Sequence, residues 1–162
     1  MQLTPPRHLA IAFVALCLAV TATIAVARAD DDSRGGHRQV IVPQEDRFTP
    51  FAQTIHAGDT VQFINMDTDD HTVVSDDFVN TAGRRGLNVL LKGTDNNGGK
   101  PGVFSLRFTH PGIFVYYCRF HAHLDADHQP AAPGPKGGIQ ATDGNFGTPM
   151  MGIITVLSAG GE

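Results

Sequence analysis

The chain has 162 residues, 12 Lys and Arg against 16 Asp and Glu, and a formal charge of −4. That balance, with no basic patch anywhere, excludes nucleic acid as a partner class and leaves only a mildly acidic surface suited to a basic protein partner. The length allows one domain with a real core.

The first 29 residues read as a cleavable export signal. Arg7 and His8 form a basic start, Leu9 to Val26 is an almost unbroken apolar run, and Ala27-Arg28-Ala29 supplies the small-x-small cleavage pattern before Asp30. Leu16 precedes Cys17 where lipid attachment needs a small residue, so no lipoprotein is expected. Removing residues 1–29 from 162 leaves 133 and takes away Arg7 and Arg28, moving the charge from −4 to −6. The expectation is a periplasmic or otherwise exported monomer with no membrane attachment after cleavage. Cys118 is then the one cysteine left, so no intramolecular disulfide can form. In an oxidising compartment a lone thiol is a metal ligand, a reactive group or an intermolecular bridge.

Residues 30–37 are charged and Gly-containing and read as a disordered lead-in. Val40-Ile41-Val42 opens the fold as a strand, and Pro43 to Pro50 loops around Phe48, which is expected in the core. Gly58-Asp59 marks a turn into a strand in which Val61 and Phe63 alternate with polar residues. The polar loop Asn65 to Asp70 delivers His71 at the head of Thr72-Val73-Val74, where backbone pairing would hold a ligand rigidly. Asp76 to Pro101 is a long polar excursion with an apolar island at Leu87 to Leu91. Phe104, Leu106 and Phe108 alternate with Ser105, Arg107 and Thr109. After His110-Pro111-Gly112 comes the strand Ile113 to Cys118, and the pair reads as a hairpin. Residues 124–149 form a long Pro/Gly-rich insertion, and Ile153 to Leu157 is the last strand. Seven or eight short strands, no helix beyond the signal and no repeat predict an all-β, antiparallel Greek-key β-sandwich or barrel, a single domain over 38–158.

The chemistry gathers around Tyr116-Tyr117-Cys118-Arg119-Phe120-His121-Ala122-His123. The candidate ligands are His71, Cys118, His121 or His123, and Met150 or Met151. Two imidazoles and a thiolate with a weak thioether suit type 1 copper. The thiolate supplies covalency and an electron path, the imidazoles accept both copper oxidation states, and the thioether binds weakly.

Four segments carry a resemblance to the cupredoxins of the plastocyanin/azurin superfamily. They are Gly58 to Asn65, His71-Thr72-Val73, Pro111 to His121, and Met150-Met151-Gly152-Ile153-Ile154-Thr155-Val156. The resemblance implies a cupredoxin-like fold and a site of His71, Cys118, His121 and Met150. Two departures are visible. Met150 follows His121 by 29 positions, where the family has only a few, and the Met-x-Gly-x-x-Thr-Val ending favours Met150 over Met151. The Cys118 spacing to His121 is that of plastocyanins, and the spacing to His123 resembles azurins and multicopper oxidases. Tyr116 to His121 matches the small bacterial members best, which favours His121. His123, with Asp125, Asp127 and His128, is then a candidate second copper site, set against a solvated polar loop.

The resulting expectation is a one-electron carrier for transient redox partner proteins, not an enzyme. The alternative is copper handling, in which the protein sequesters or passes on copper to confer tolerance.

Overall fold

The computed structural model describes residues 36–75, 78, 80–134 and 147–159. The signal expected at residues 1–29, the lead-in expected up to residue 35 and the centre of the expected 124–149 insertion lie outside the described residues. The strands are β1 (His37–Val42), β2 (Ala52–His56), β3 (Thr60–Asn65), β4 (His71–Ser75), β5 (Asn88–Leu91), β6 (Gly102–Arg107), β7 (Gly112–Tyr117), β8 (His123–Leu124), β9 (Pro130–Ala131) and β10 (Met151–Leu157). No helix occurs among the described residues. His37, which the sequence placed in the lead-in, is the first residue of β1 and pairs with Thr60.

Side-chain alternation decides which face of each strand is buried. In β3, Val61, Phe63 and Asn65 are buried while Thr60, Gln62 and Ile64 are half-exposed. Phe114 and Tyr116 in β7, and Ile154 and Val156 in β10, follow the same two-residue period. One sheet has three strands in the order β1-β3-β6, and the other has five in the order β2-β10-β7-β4-β5. Their inner faces share one core. Aromatic rings knit it: Tyr116 stands edge-on to Phe63 at 5.1 Å and to Phe48 at 4.8 Å, and Phe108 is edge-on to Phe114 at 5.1 Å. The all-β sandwich expected from the strand pattern is the fold observed, and Phe48 is in the core as its loop suggested.

The predicted hairpin of Val103–Thr109 with Ile113–Cys118 is not formed. β6 pairs with β3, whereas β7 pairs with β10 and β4 in the other sheet. The connection is an arch between sheets, turned at Gly112, where φ is 145° and a Cβ would come within 2.5 Å of the Thr81 backbone. Beside β7, β4 supplies only the rungs at Val74 and Ser75. The rest of that edge is satisfied by the segment that follows β4. Thr81 and Ala82 donate to the Ile113 carbonyl at 2.9 and 3.3 Å, and Asn80 Oδ1 accepts from the Val115 amide at 2.7 Å.

Two further differences concern strand number. β2 begins at Ala52, in a stretch to which the sequence pattern assigned no element, and it pairs parallel with β10. Within the insertion, β8 and β9 make a two-stranded ribbon of their own. The apolar island at 87–91 is β5, which buries Leu91 beside His71.

Candidate metal centre

One end of the sandwich collects three segments: the loop after β1, the loop from β3 into β4, and the residues just after β7 with those just before β10. The middle one is fixed by Asn65. Its buried amide donates to the Asp69 and Leu91 carbonyls at 2.8 and 3.0 Å, and its Oδ1 accepts the Asp67 amide at 3.0 Å. Gly93 packs so tightly under this loop that a Cβ would lie 2.0 Å from the Thr68 carbonyl oxygen. His71 therefore enters β4 on a clamped backbone, and its side chain is fully buried.

Cys118 is the first residue beyond β7 and is also fully buried. Its amide donates to the Met150 carbonyl at 2.9 Å, its carbonyl accepts the His121 amide at 3.1 Å, and the Met150 amide donates to the His121 carbonyl at 3.3 Å. This short lattice draws Cys118, His121 and Met150 together across the whole insertion. Met150 is buried in the core, whereas Met151 pairs with Tyr117 and lines a shallow cavity with Val115, His128, Gln129 and Pro130. Met150, just before β10, and Met151, its first residue, thus point into different surroundings.

The imidazoles of His71 and His121 and the sulfur of Cys118 converge, with one donor atom from each lying within 4.8 Å of the others. His71 Nδ1 is 3.7 Å from Sγ. The two rings lie 5.2 Å apart, tilted by 46°. Sγ also accepts the Thr72 amide at 3.4 Å and lies 3.7 Å from the Thr72 hydroxyl, whose oxygen accepts the Arg119 amide at 2.9 Å. Burial pushes the Cys118 thiol up, but the His121 and His71 rings and the amides of Phe120 and Thr72 outweigh it and hold the pKa at about 5. The site is thus built for a thiolate. Burial disfavours a charged His71, yet Cys118, Asp67 and Asp46 together leave its pKa above the usual value.

His121 Nδ1 is buried without a partner in hydrogen-bond geometry, and one ring nitrogen of His121 lies within 4.8 Å of the sulfur. A buried ring nitrogen without a partner is costly, and a metal ion bound through its lone pair would satisfy it. With a soft thiolate and a second imidazole alongside, the donor set fits copper.

Sequence reasoning missed three parts of this centre. Thr72 holds the sulfur. Asp67 Oδ2 lies 3.3 Å from His71 Nε2. Asp46 Oδ1 lies 3.5 Å from His71 Nε2 and 3.8 Å from His121 Nε2. Burial raises the Asp46 pKa, opposed by the two histidines.

The other candidates are elsewhere. His123 is exposed in β8, opposite Ala131. Asp125 Oδ1 accepts the Asp127 and Gln129 amides, both at 2.9 Å, so it builds the turn of the β8–β9 ribbon. His128 stacks on Phe78 at 4.5 Å. Among the described residues, His123, Asp125, Asp127 and His128 form no metal-sized cluster.

No protein-family model matches the chain, and no curated protein matches it. Among solved structures it is similar to a purple cupredoxin from Nitrosopumilus maritimus, with 20% identity over 74% of this chain and 99% of that one and a TM-score of 0.45. It is similar to a reduced amicyanin mutant, with 20% identity over 75% of this chain and 83% of that one and a TM-score of 0.44. A copper-containing nitrite reductase from Thermus scotoductus shares 20% identity over 75% of this chain but 22% of its own, with a TM-score of 0.46. The chain is similar to cupredoxins at this general level, and the centre rests on its own side chains.

Proposed function

We propose that this chain is an exported, monomeric type 1 copper protein that carries single electrons between transient protein partners. The observation that carries the reading is the convergence of a buried thiolate and two imidazoles, one of which has a buried nitrogen with no partner. His71, Cys118 and His121 would hold the metal, with Met150 as the weak fourth ligand. Copper in such a site supplies a one-electron couple between its cupric and cuprous states. The protein's part is to keep the donors in place through both. Asn65 and Gly93 clamp the His71 loop, Thr72 fixes the sulfur, and the backbone bonds among Cys118, His121 and Met150 hold the second half. A rigid donor set suits a carrier that transforms no substrate.

The test is a visible absorption spectrum with a copper count on the purified mature protein. Intense thiolate-to-copper absorption at one copper per chain, lost in Cys118→Ser and kept in His128→Ala, is the expected result. Colour surviving in Cys118→Ser would sink the assignment. A second, weakly absorbing copper per chain would move the reading to copper handling and tolerance.

A further inference from the structure

The loop after β1 has no ligand in it, yet it reaches the centre. Phe48 is anchored in the core against Tyr116, and Ile41 and Thr49 exchange two backbone hydrogen bonds of 2.8 Å across the loop's base. Between these fixed points Asp46 adopts a left-handed backbone with φ of 50°. Few non-glycine residues do so without some cost, and such positions gather at functional sites. The result is one carboxylate oxygen placed against the outer nitrogens of both imidazoles, 3.5 Å from His71 Nε2 and 3.8 Å from His121 Nε2. His71 has a second carboxylate in Asp67. For His121 Nε2, Asp46 is the carboxylate in ion-pair range among the described residues.

We propose that Asp46 is a positioning residue shared by both histidine ligands: it orients the His121 ring and, by its charge, lowers the reduction potential of the centre. The inference rests on the copper reading above. The physical argument has two parts. A carboxylate facing the outer nitrogen of an imidazole at ion-pair range favours the tautomer and ring orientation that put the proton on that side, and the inner nitrogen becomes a stronger donor. A negative charge close to a metal favours the more positive oxidation state, and a group only 15% exposed is weakly screened by salt. Asp67 orients His71 but does not reach His121, so toward the His121 ring it has the charge effect alone. The two carboxylates therefore separate orientation from electrostatics.

The mature protein and the variants Asp46→Asn, Asp46→Gly, Asp46→Glu and Asp67→Asn are compared. Asparagine and glycine both accept a left-handed backbone, so they remove the charge while leaving the loop its conformation. Midpoint potentials are measured on the copper-loaded proteins near neutral pH, and the order of the His121 ring by NMR relaxation on the metal-free ones. In Asp46→Asn and Asp46→Gly, the reduced-to-oxidised ratio at a fixed applied potential should rise about tenfold, a shift of about 59 mV for one electron. The His121 ring should loosen in both. Asp46→Glu should keep most of the wild-type potential. Asp67→Asn should raise the potential and leave the His121 ring as ordered as before. An unchanged potential, or an unchanged ring, in Asp46→Asn and Asp46→Gly overturns the proposal. A wild type that stays colourless with copper overturns the copper reading instead, and the ring measurement on metal-free protein still decides whether Asp46 positions His121.

Discussion

At the scale of single residues the centre depends on one proton. Cys118 has a folded pKa of about 5 against an ordinary value of 9.0, so between these values the folded metal-free chain binds fewer protons than the unfolded chain. Its contribution to stability is therefore fully present above about 9 and is lost as the pH falls through about 5. His71, raised by the same thiolate, works the other way: its contribution is present at low pH and fades as the pH rises through its folded value. The prediction is that ultraviolet thiolate absorbance of the metal-free protein titrates near pH 5, and titration near pH 9 would contradict it. Tyr116 makes a second, independent case. Its hydroxyl is buried without a hydrogen-bond partner, and that burial pushes its pKa up. Tyr116→Phe keeps the ring's contacts with Phe48 and Phe63 and removes the orphaned group, so thermal or denaturant unfolding should show stabilisation by about 1 kcal/mol. Of the residues that converge here, His71 and Cys118 were candidates by residue type, and His121 was preferred to His123 only through the cupredoxin resemblance. Asp46 and Asp67 were not candidates. An aspartate in a polar loop looks the same whether it faces water or the back of an imidazole, and only the folded chain brings Asp46 beside residues so distant in sequence.

At the scale of elements, periodicity showed most strands and did not show how they pair. Val103–Thr109 and Ile113–Cys118 each send alternate apolar side chains into one core. Neighbouring strands of a hairpin and facing strands of two sheets satisfy that pattern equally, which is why the short turn at His110-Pro111-Gly112 suggested a hairpin. What distinguishes them is a close approach of backbones: Gly112 at φ 145° leaves no room for a Cβ against Thr81 and Ala82. Gly112→Ala should thus combine a strained backbone with a steric clash, lowering stability by about 3 kcal/mol. Loss of protection at the Ile113 and Val115 amides in hydrogen exchange, ahead of those in β3, would place the damage at the arch. If the variant unfolds like the wild type, the arch tolerates a side chain and the close approach is not what sets the topology. β2 was missed for a related reason. Ala52 to Thr54 carries little apolar signal, and its parallel pairing with β10 depends on the last strand of the domain. The β8–β9 ribbon is held by Asp125 in a turn and has almost no core of its own, so composition alone showed only Pro and Gly.

At the scale of the whole molecule, the question is what the metal adds to a fold that already has a core. The core runs through both sheets from Val40 to Val156 and includes Met150 and Cys118 at its edge. This differs from small metal domains whose fold is created by the ion. The metal-free protein should therefore stay folded, with a cooperative thermal transition. Three segments distant in sequence meet at the centre, and a ligand bound only by the folded state stabilises it by RT ln(1 + [L]/Kd), about 2.7 kcal/mol when the free metal is at about 100 times Kd. For a domain of this size that amounts to a rise in Tm of roughly 10 °C. Calorimetry with copper, and again after chelation, should show the rise and its reversal. The effect should vanish in Cys118→Ser and largely survive in His123→Ala, because the first would ligate from within the core and the second stands exposed on β8. An equal loss in both variants would mean that the metal is held by the insertion rather than at the end of the sandwich. A metal-free chain with no thermal transition would mean that the core does not hold the fold together without the ion.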